Sequence, residues 1–398
     1  MELSGVEALR MDEFLLIEKE LQELRQQGLY RSLLSVEEVR GPFITLGGKK
    51  YLCFCSNNYL GLAGHPRLKG AAQEAIEQYG WGAGASRLVS GNTTLHEALE
   101  AELACFKGTE ATLVFPSGYM ANVGTITALV GKGDIIIGDR LNHASLIDGC
   151  RLSGADFRVY PHNDTDALED ILKRASQYKR RLIVTDGVFS MDGDLAPLPN
   201  IVELAKKYKA TVMVDDAHGT GVMGKKGKGT VEHYGLEGQV DVQMGTLSKA
   251  LGGIGGFVAG SKTLIEYLRN RSRPFIYTTA LPVAACAAAM EALKIIEEEP
   301  SRREALWRNV RYLQEGLKVQ KFKGLNVQEI ESPIFPIIIG AAKEAVALSN
   351  FLFEKGLLVT AIRPPTVPEE TSRLRVTVMS EHAREHIQAL LQALAQKA

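Results

Sequence analysis

Between residues 111 and 259, short apolar runs alternate with segments of helical pattern, and few folds can absorb such an alternation. The runs are Ala111–Phe115, Asp134–Ile137, Asp156–Tyr160, Arg181–Thr185, Thr211–Val214, Val240–Met244 and Gly256–Ala259. The helical segments between them are Tyr119–Leu129, Ala144–Ser153, Thr165–Tyr178 and Asn200–Tyr208. Leu182-Ile183-Val184 and Val212-Met213-Val214 are apolar at every position rather than at alternate ones. A strand reads this way when helices cover both of its faces. Parallel strands need a crossover, usually a helix, so the pattern predicts an α/β domain with a large, mainly parallel sheet.

The flanks read differently. Phe14-Leu15-Leu16-Ile17 with Leu21 and Leu24 gives an amphipathic N-terminal helix ending near Gly28. Phe43–Leu46, the Gly47-Gly48 turn and Lys50–Phe54 predict a hairpin. Helices are expected over Pro66–Tyr79, Thr94–Phe106 and Pro282–Glu298. After Pro300 a helix near Arg302–Leu317 leads into Ile334–Ile339, Lys343–Lys355, Leu357–Ala361, Arg373–Val378 and His382–Gln396, a smaller C-terminal α+β unit. The expected division is 1–60, 61–299 and 300–398. A formal net charge of −1 offers no field for nucleic acid or an anionic membrane. No apolar window suits a bilayer span or a leader, and five scattered cysteines, an odd number, suit a reducing cytoplasm. Cys53 and Cys55 would share a strand face, but no second Cys/His pair at zinc spacing completes a site, so no metal is expected.

Ligands of a parallel sheet bind in the crevice at the carboxyl ends of its strands. Five such ends carry polar or ionisable groups: Ser117-Gly118-Tyr119, Asn142-His143, Asp186 with Ser190, Asp215 with His218, and Thr246 with Lys249. One shared crevice accounts for all five. Lys249, among Gly, Thr, Ser and Ala, has no carboxylate neighbour in sequence. A Schiff-base lysine looks like this because its amine must lose water to be nucleophilic near neutral pH; an exposed lysine in a flexible loop looks the same. Asp215 ends an apolar run, where a carboxylate is costly unless paired, and a protonated pyridine nitrogen would pair it. Asp215, Asp216 and His218 could also ligate a metal, although so short a spacing offers few converging ligands. Ser117-Gly118-Tyr119 opens a helix, where N–H groups suit an anion and glycine permits close approach; an ordinary cap has the same residues. His143 could stack on a flat ring or move a proton, or merely cap a helix. Gly219-x-Gly221-x-x-Gly224 matches a dinucleotide fingerprint literally, but Lys225-Lys226-Gly227-Lys228-Gly229 starts no helix to hold a pyrophosphate. A lysine nucleophile, a carboxylate for a ring nitrogen, a phosphate-suited helix start and a stackable imidazole are together the needs of pyridoxal 5'-phosphate (PLP).

Longer stretches carry a resemblance. Thr246–Ala250, Val214–Gly221, Thr185–Gly193 and Ser56–Gly61 resemble the α-oxoamine synthases, PLP-dependent transferases of fold type I, the aspartate-aminotransferase-like fold. The likeness extends from about residue 30 to the C-terminus. It implies a homodimer with active sites at the subunit interface. It implies that Lys249 links covalently to the cofactor and acts as the base, that Asp215 binds the pyridine nitrogen, that His218 bonds the phenolic oxygen, and that His143 stacks on the ring near the substrates. Ser190 and Thr246 would be further cofactor contacts. Ser117, Gly118 and Tyr119 would hold the phosphate, joined by Thr278 of the partner subunit. Arg375 would grip the amino-acid carboxylate, with Asn57 nearby.

Within the family, Ala361–Pro368 and Gly84–Arg87 with Gly91 and His96 resemble the branch that joins L-alanine to pimeloyl-CoA, or its acyl-carrier-protein form, in biotin synthesis. In that branch Arg31 and Thr366 would bind substrate, and His143 would aid the acyl carbonyl. Leu141–Gly149 and Arg271–Phe275 resemble as much the branch that joins glycine to acetyl-CoA, and both activities in one chain remain open. Two readings lie outside the family's chemistry: a nicotinamide oxidoreductase, resting only on the Gly219 pattern, and a PLP-storing protein that keeps Lys249 without catalysis.

Overall fold

The computed structural model describes residues 5–319 and 331–397; residues 1–4, at the start of the expected N-terminal helix, lie outside the described residues. The apolar runs form a seven-stranded sheet in the order Ala111–Phe115, Gly256–Gly260, Val242–Thr246, Thr211–Asp215, Arg181–Asp186, Ile135–Asp139, Asp156–Tyr160. Gly256–Gly260 is antiparallel to both neighbours, and the other pairings are parallel. Ile136 and Val184 enter one core with helices Gly118–Leu129 and Ala144–Ser153. Ile135, Ile137 and Ile183 enter another with Thr165–Lys173 and Leu198–Tyr208. Burying one such side chain contributes roughly 1.5–3 kcal/mol, so residues apolar on both faces hold these strands central.

Helices Pro66–Tyr79, Thr94–Lys107 and Val283–Glu298 cover Val114, Phe257 and Ala259, and this core continues through helix Ser301–Val319 into the C-terminal unit. That unit carries the antiparallel sheet Ile334–Gly340, Ser372–Thr377, Thr360–Ile362, with helices Ala342–Glu354 and Arg384–Ala395. The single strand expected over Leu357–Ala361 is two. Leu357–Leu358 pairs parallel with Lys49–Cys53, whereas Thr360–Ile362 pairs with Ser372–Thr377. One intervening residue, the buried Val359, lets the chain leave one sheet and enter the other. The hairpin Phe43–Leu46/Lys49–Cys53, closed by Gly47 and Gly48 at φ 54° and 71°, is thereby joined to the C-terminal unit.

Residues 219–229 are successive turns before helix Thr230–His233, so the Gly219 pattern has no pyrophosphate-binding helix behind it. Cys53 and Cys55 do share a face, with sulfurs 3.8 Å apart, while Cys105 is exposed. Among the described residues no helix is long and apolar enough to cross a membrane.

Candidate active site

The strand ends converge as the topology requires. Thr246 closes its strand with Oγ1 donating to Gly255 O at 2.8 Å and accepting from Ser248 N at 3.2 Å, which fixes the turn into Lys249. Lys249 is half-buried. Burial pulls its amine down to about 8, while Asp215 and Asp186 oppose the shift and Arg375 adds to it. Both carboxylates find hydrogen bonds elsewhere. Asp215 accepts from Asn122 Nδ2 at 2.7 Å and from Ala217 N at 3.0 Å. Asp186 accepts from His143 N at 2.6 Å, and burial, then repulsion from Asp215, pushes its carboxyl well above the usual range. Asp186 is therefore driven toward its neutral form.

His143 stands at the start of a helix, in the capping position that the sequence allowed. It caps helix Ala144–Ser153, and its Nδ1 lies 2.7 Å from Ser145 Oγ, which accepts from Asn122 Nδ2 at 2.8 Å. With Ser145 donating to Nδ1, the ring N–H is at Nε2. Desolvation lowers the ring's proton affinity, Asp215 opposes this, and Lys249 adds to it. Asp215, Asn122, Ser145 and His143 thus form one hydrogen-bonded chain. A second chain crosses between the two units of the fold. Buried His218 Nδ1 is 2.7 Å from Tyr59 Oη, and Tyr59 Oη is 3.3 Å from Asn57 Oδ1. Asn57 Oδ1 accepts from Arg375 Nη1 at 3.1 Å, and Arg375 Nε donates to Ser190 O at 2.5 Å. Burial, then the Lys249 and Arg375 charges, holds His218 well below its ordinary pKa, so the ring is neutral.

Ser117 caps helix Gly118–Leu129, its Oγ accepting from Met120 N at 3.2 Å. The first N–H groups of the helix have no partner within it. A Cβ at Gly118 would lie 2.9 Å from Met244 Cε, so glycine leaves the backbone open to close approach there without moving that side chain. Tyr119 is exposed and donates to Asp148 Oδ2 at 2.5 Å. Thr278 is half-buried, and its hydroxyl bonds nothing among the described residues. Arg31 and Thr366, at opposite ends of the chain, meet on one loop: Arg31 Nη2 donates to Pro364 O at 3.3 Å, and Thr366 N donates to Arg363 O at 3.1 Å. Arg363 fastens that loop by donating to Gly28 O and Tyr30 O. His96 is structural, bonding Leu281 O at 2.8 Å and capping at Thr93.

Sequence reasoning missed Asn122, Ser145 and Tyr59, and named Asp186 without a task. A buried amide in a helix with no charged residue was the available signal for Asn122, since such a group must find a partner. These residues fit PLP. The Gly118 helix start suits a phosphate, the oriented Asp215 carboxylate suits a cationic ring nitrogen, and the depressed Lys249 amine suits a covalent anchor.

Comparison with known proteins agrees. The family described as aminotransferase class I and II matches residues 49–394. The 8-amino-7-oxononanoate synthase of Thermoanaerobacter pseudethanolicus is 50% identical over 378 residues, 95% of this chain and 95% of its own. That of Geobacter sulfurreducens is 52% identical over 378 residues, 94% and 96%. Serine palmitoyltransferase from S. paucimobilis, solved with a bound PLP–myriocin aldimine, has a TM-score of 0.91 at 35% identity, covering 97% of each chain.

Proposed function

The chain belongs to the aminotransferase class I and II family and, within it, to the α-oxoamine synthases; from that premise we propose that it makes 8-amino-7-oxononanoate by decarboxylative condensation of L-alanine with pimeloyl-CoA or pimeloyl acyl carrier protein. The observation that carries this choice is the near-full-length identity to enzymes of that name. The protein is a PLP-dependent acyltransferase, and the cofactor when bound supplies an electron sink for charge developing at the amino acid's Cα.

The rest falls to the chain's own groups. Lys249, with an amine near 8, is partly neutral at working pH; it anchors the cofactor and then takes and returns the α-proton. Asp215, oriented by Asn122, holds the ring nitrogen protonated. His143 would hold the ring by stacking, and its Nε2 proton would be available to the acyl carbonyl oxygen. His218, Ser190 and Thr246 are further cofactor contacts, and Ser117, Gly118 and Tyr119 bind the phosphate. Arg375, held by Asn57 and Ser190, takes the amino-acid carboxylate. Arg31 and Thr366 take the acyl chain. The working form is a cytoplasmic homodimer. Phe14, Ile17, Leu21 and Leu24 leave an apolar stripe exposed on helix Gly5–Gln26 that a second copy would cover, and Thr278 of the partner subunit completes the phosphate site.

A thiol-release panel tests the substrate assignment by crossing alanine, glycine and serine with acetyl-, pimeloyl- and palmitoyl-CoA. Alanine with pimeloyl-CoA should exceed every other pair in kcat/KM by at least about tenfold. A larger value for glycine with acetyl-CoA, or for serine with palmitoyl-CoA, would overturn it.

A further inference from the structure

One cluster of ionisable groups lies outside this chemistry. His162 sits between Asp139, which ends strand Ile135–Asp139, and Asp194, in the turn after strand Arg181–Asp186. Its Nδ1 is 3.0 Å from Asp139 Oδ1 and its Nε2 is 2.7 Å from Asp194 Oδ2. An ionised carboxylate only accepts, so two such partners require both ring nitrogens to donate, and the ring is an imidazolium. Burial alone would lower its pKa, but the hydrogen bonds and charges of Asp139 and Asp194 outweigh burial and raise it to about 10. No other charged group shifts it; the remaining close neighbours are Asn163 and the Phe189 ring, edge-on at 4.4 Å.

The Asp139 carboxylate and the Asp194 backbone belong to turns that reach the crevice. Asp139 accepts from Leu141 N at 2.8 Å and Asn163 N at 2.8 Å, forming the turn that leads to His143. Asp194 O accepts from Phe189 N at 3.0 Å and Phe189 O from Gly193 N at 2.8 Å, closing the turn Phe189–Asp194. The C-terminal unit grips the same turn from the other side. Arg375 Nε donates to Ser190 O, Arg373 Nη1 to Met191 O at 3.2 Å and to Asp192 Oδ1 at 2.5 Å, and Ser332 Oγ to Gly193 O at 2.7 Å. Gly193, at φ 75°, lies so close to Ile334 O that a Cβ would overlap it, so the turn cannot slide.

We propose that His162 is a positioning residue: as a cation between Asp139 and Asp194 it holds the Phe189–Asp194 turn and, through Ser190, sets the Arg375 guanidinium where the amino-acid carboxylate docks. This rests on the reading of Arg375 given above. His162→Gln should raise the amino-acid KM about tenfold, the size of a lost charge-assisted hydrogen bond, and leave kcat and the acyl-donor KM within about twofold. Asp194→Asn, which keeps the shape and one carboxylate partner, should give a smaller rise in the same constant. In the wild-type enzyme, 15N spectra should show both His162 ring nitrogens protonated from about pH 6 to about pH 9, with the signal assigned by its loss in His162→Gln. A folded-state pKa above the unfolded one stabilises fully at low pH and is lost as pH rises toward about 10, so His162→Gln should flatten that part of the stability profile. A neutral ring at pH 7, or a His162→Gln variant that loses kcat with its amino-acid KM unmoved, would overturn the proposal. If His162→Gln does not fold, Asp194→Asn decides: an amino-acid KM unmoved in that variant would overturn the proposal. Arg375→Lys separates the two readings: an unmoved amino-acid KM there overturns the role of Arg375, while the two-proton signal independently supports the clasp.

Discussion

Lys249 takes its reactivity from its surroundings. A lysine ammonium ordinarily titrates near 10.5, and burial brings this one to about 8 against the pull of Asp215 and Asp186. In protein stripped of PLP, reductive methylation of Lys249 with 13C-formaldehyde should follow a midpoint near pH 8, while an ordinary exposed ammonium follows one near ~10.4. A midpoint for Lys249 above about 10 would mean that the two carboxylates dominate over burial. The local pattern around the lysine fitted an exposed loop lysine equally well, and the groups at the other strand ends made the anchor reading. The lysine's supporting residues were not legible in sequence. Asn122 is 93 positions from Asp215, and Tyr59 is 159 positions from His218. Nothing in a local pattern marks which buried amide or phenol a fold will bring to a distant carboxylate or imidazole.

At the scale of elements, the turn carrying Asp215 and His218 is built around the side chain between them. Asp216 is fully buried; its carboxylate accepts from Lys107 Nζ at 3.0 Å, Thr230 N at 3.1 Å and Thr230 Oγ1 at 2.8 Å. A Cβ at Gly219 or Gly229 would overlap that carboxylate, and one at Gly187 would lie 3.0 Å from it. Gly219, part of a literal dinucleotide pattern, is thus small to make room for an ion pair rather than for a pyrophosphate. Gly219→Ala should cost about 1–3 kcal/mol in urea unfolding and weaken PLP binding, because the displaced turn carries two proposed cofactor contacts. Gly70→Ala is the matched control: it lies in helix Pro66–Tyr79 with nothing within 4 Å, and should stabilise by about 0.5–1 kcal/mol. Equal effects at the two positions would remove the steric argument. Periodicity foretold the helices and parallel strands well, because both faces of each strand are written in consecutive residues. It missed the break at Val359, where a single residue moves the chain between sheets and leaves the apolar pattern unbroken.

On the scale of the whole molecule, the proposed site draws one residue from a second copy of the chain. Thr278 follows the short helix Arg273–Ile276, beside Tyr277, which is 72% exposed, and its hydroxyl bonds nothing in its own chain among the described residues. No periodicity or spacing within a chain can report a residue that serves another copy, so this assignment rests on resemblance and needs its own test. Lys249→Ala removes the proposed anchor and base, and Thr278→Asp sets a negative charge where Thr278 is proposed to meet the phosphate. Each variant alone should be nearly inactive. If Thr278 serves the neighbouring site, a mixed dimer gathers both defects in one site and leaves the other intact. Random exchange of equal amounts makes half the dimers mixed, each with one working site of two, so activity should recover to about a quarter of wild type. If Thr278 serves its own chain, each mixed dimer carries one defect in each site, and mixing should give no more than the mean of the parents. Recovery should track the mixed species resolved by native mass spectrometry, since each working site then requires a Lys249 from one chain and a Thr278 from the other.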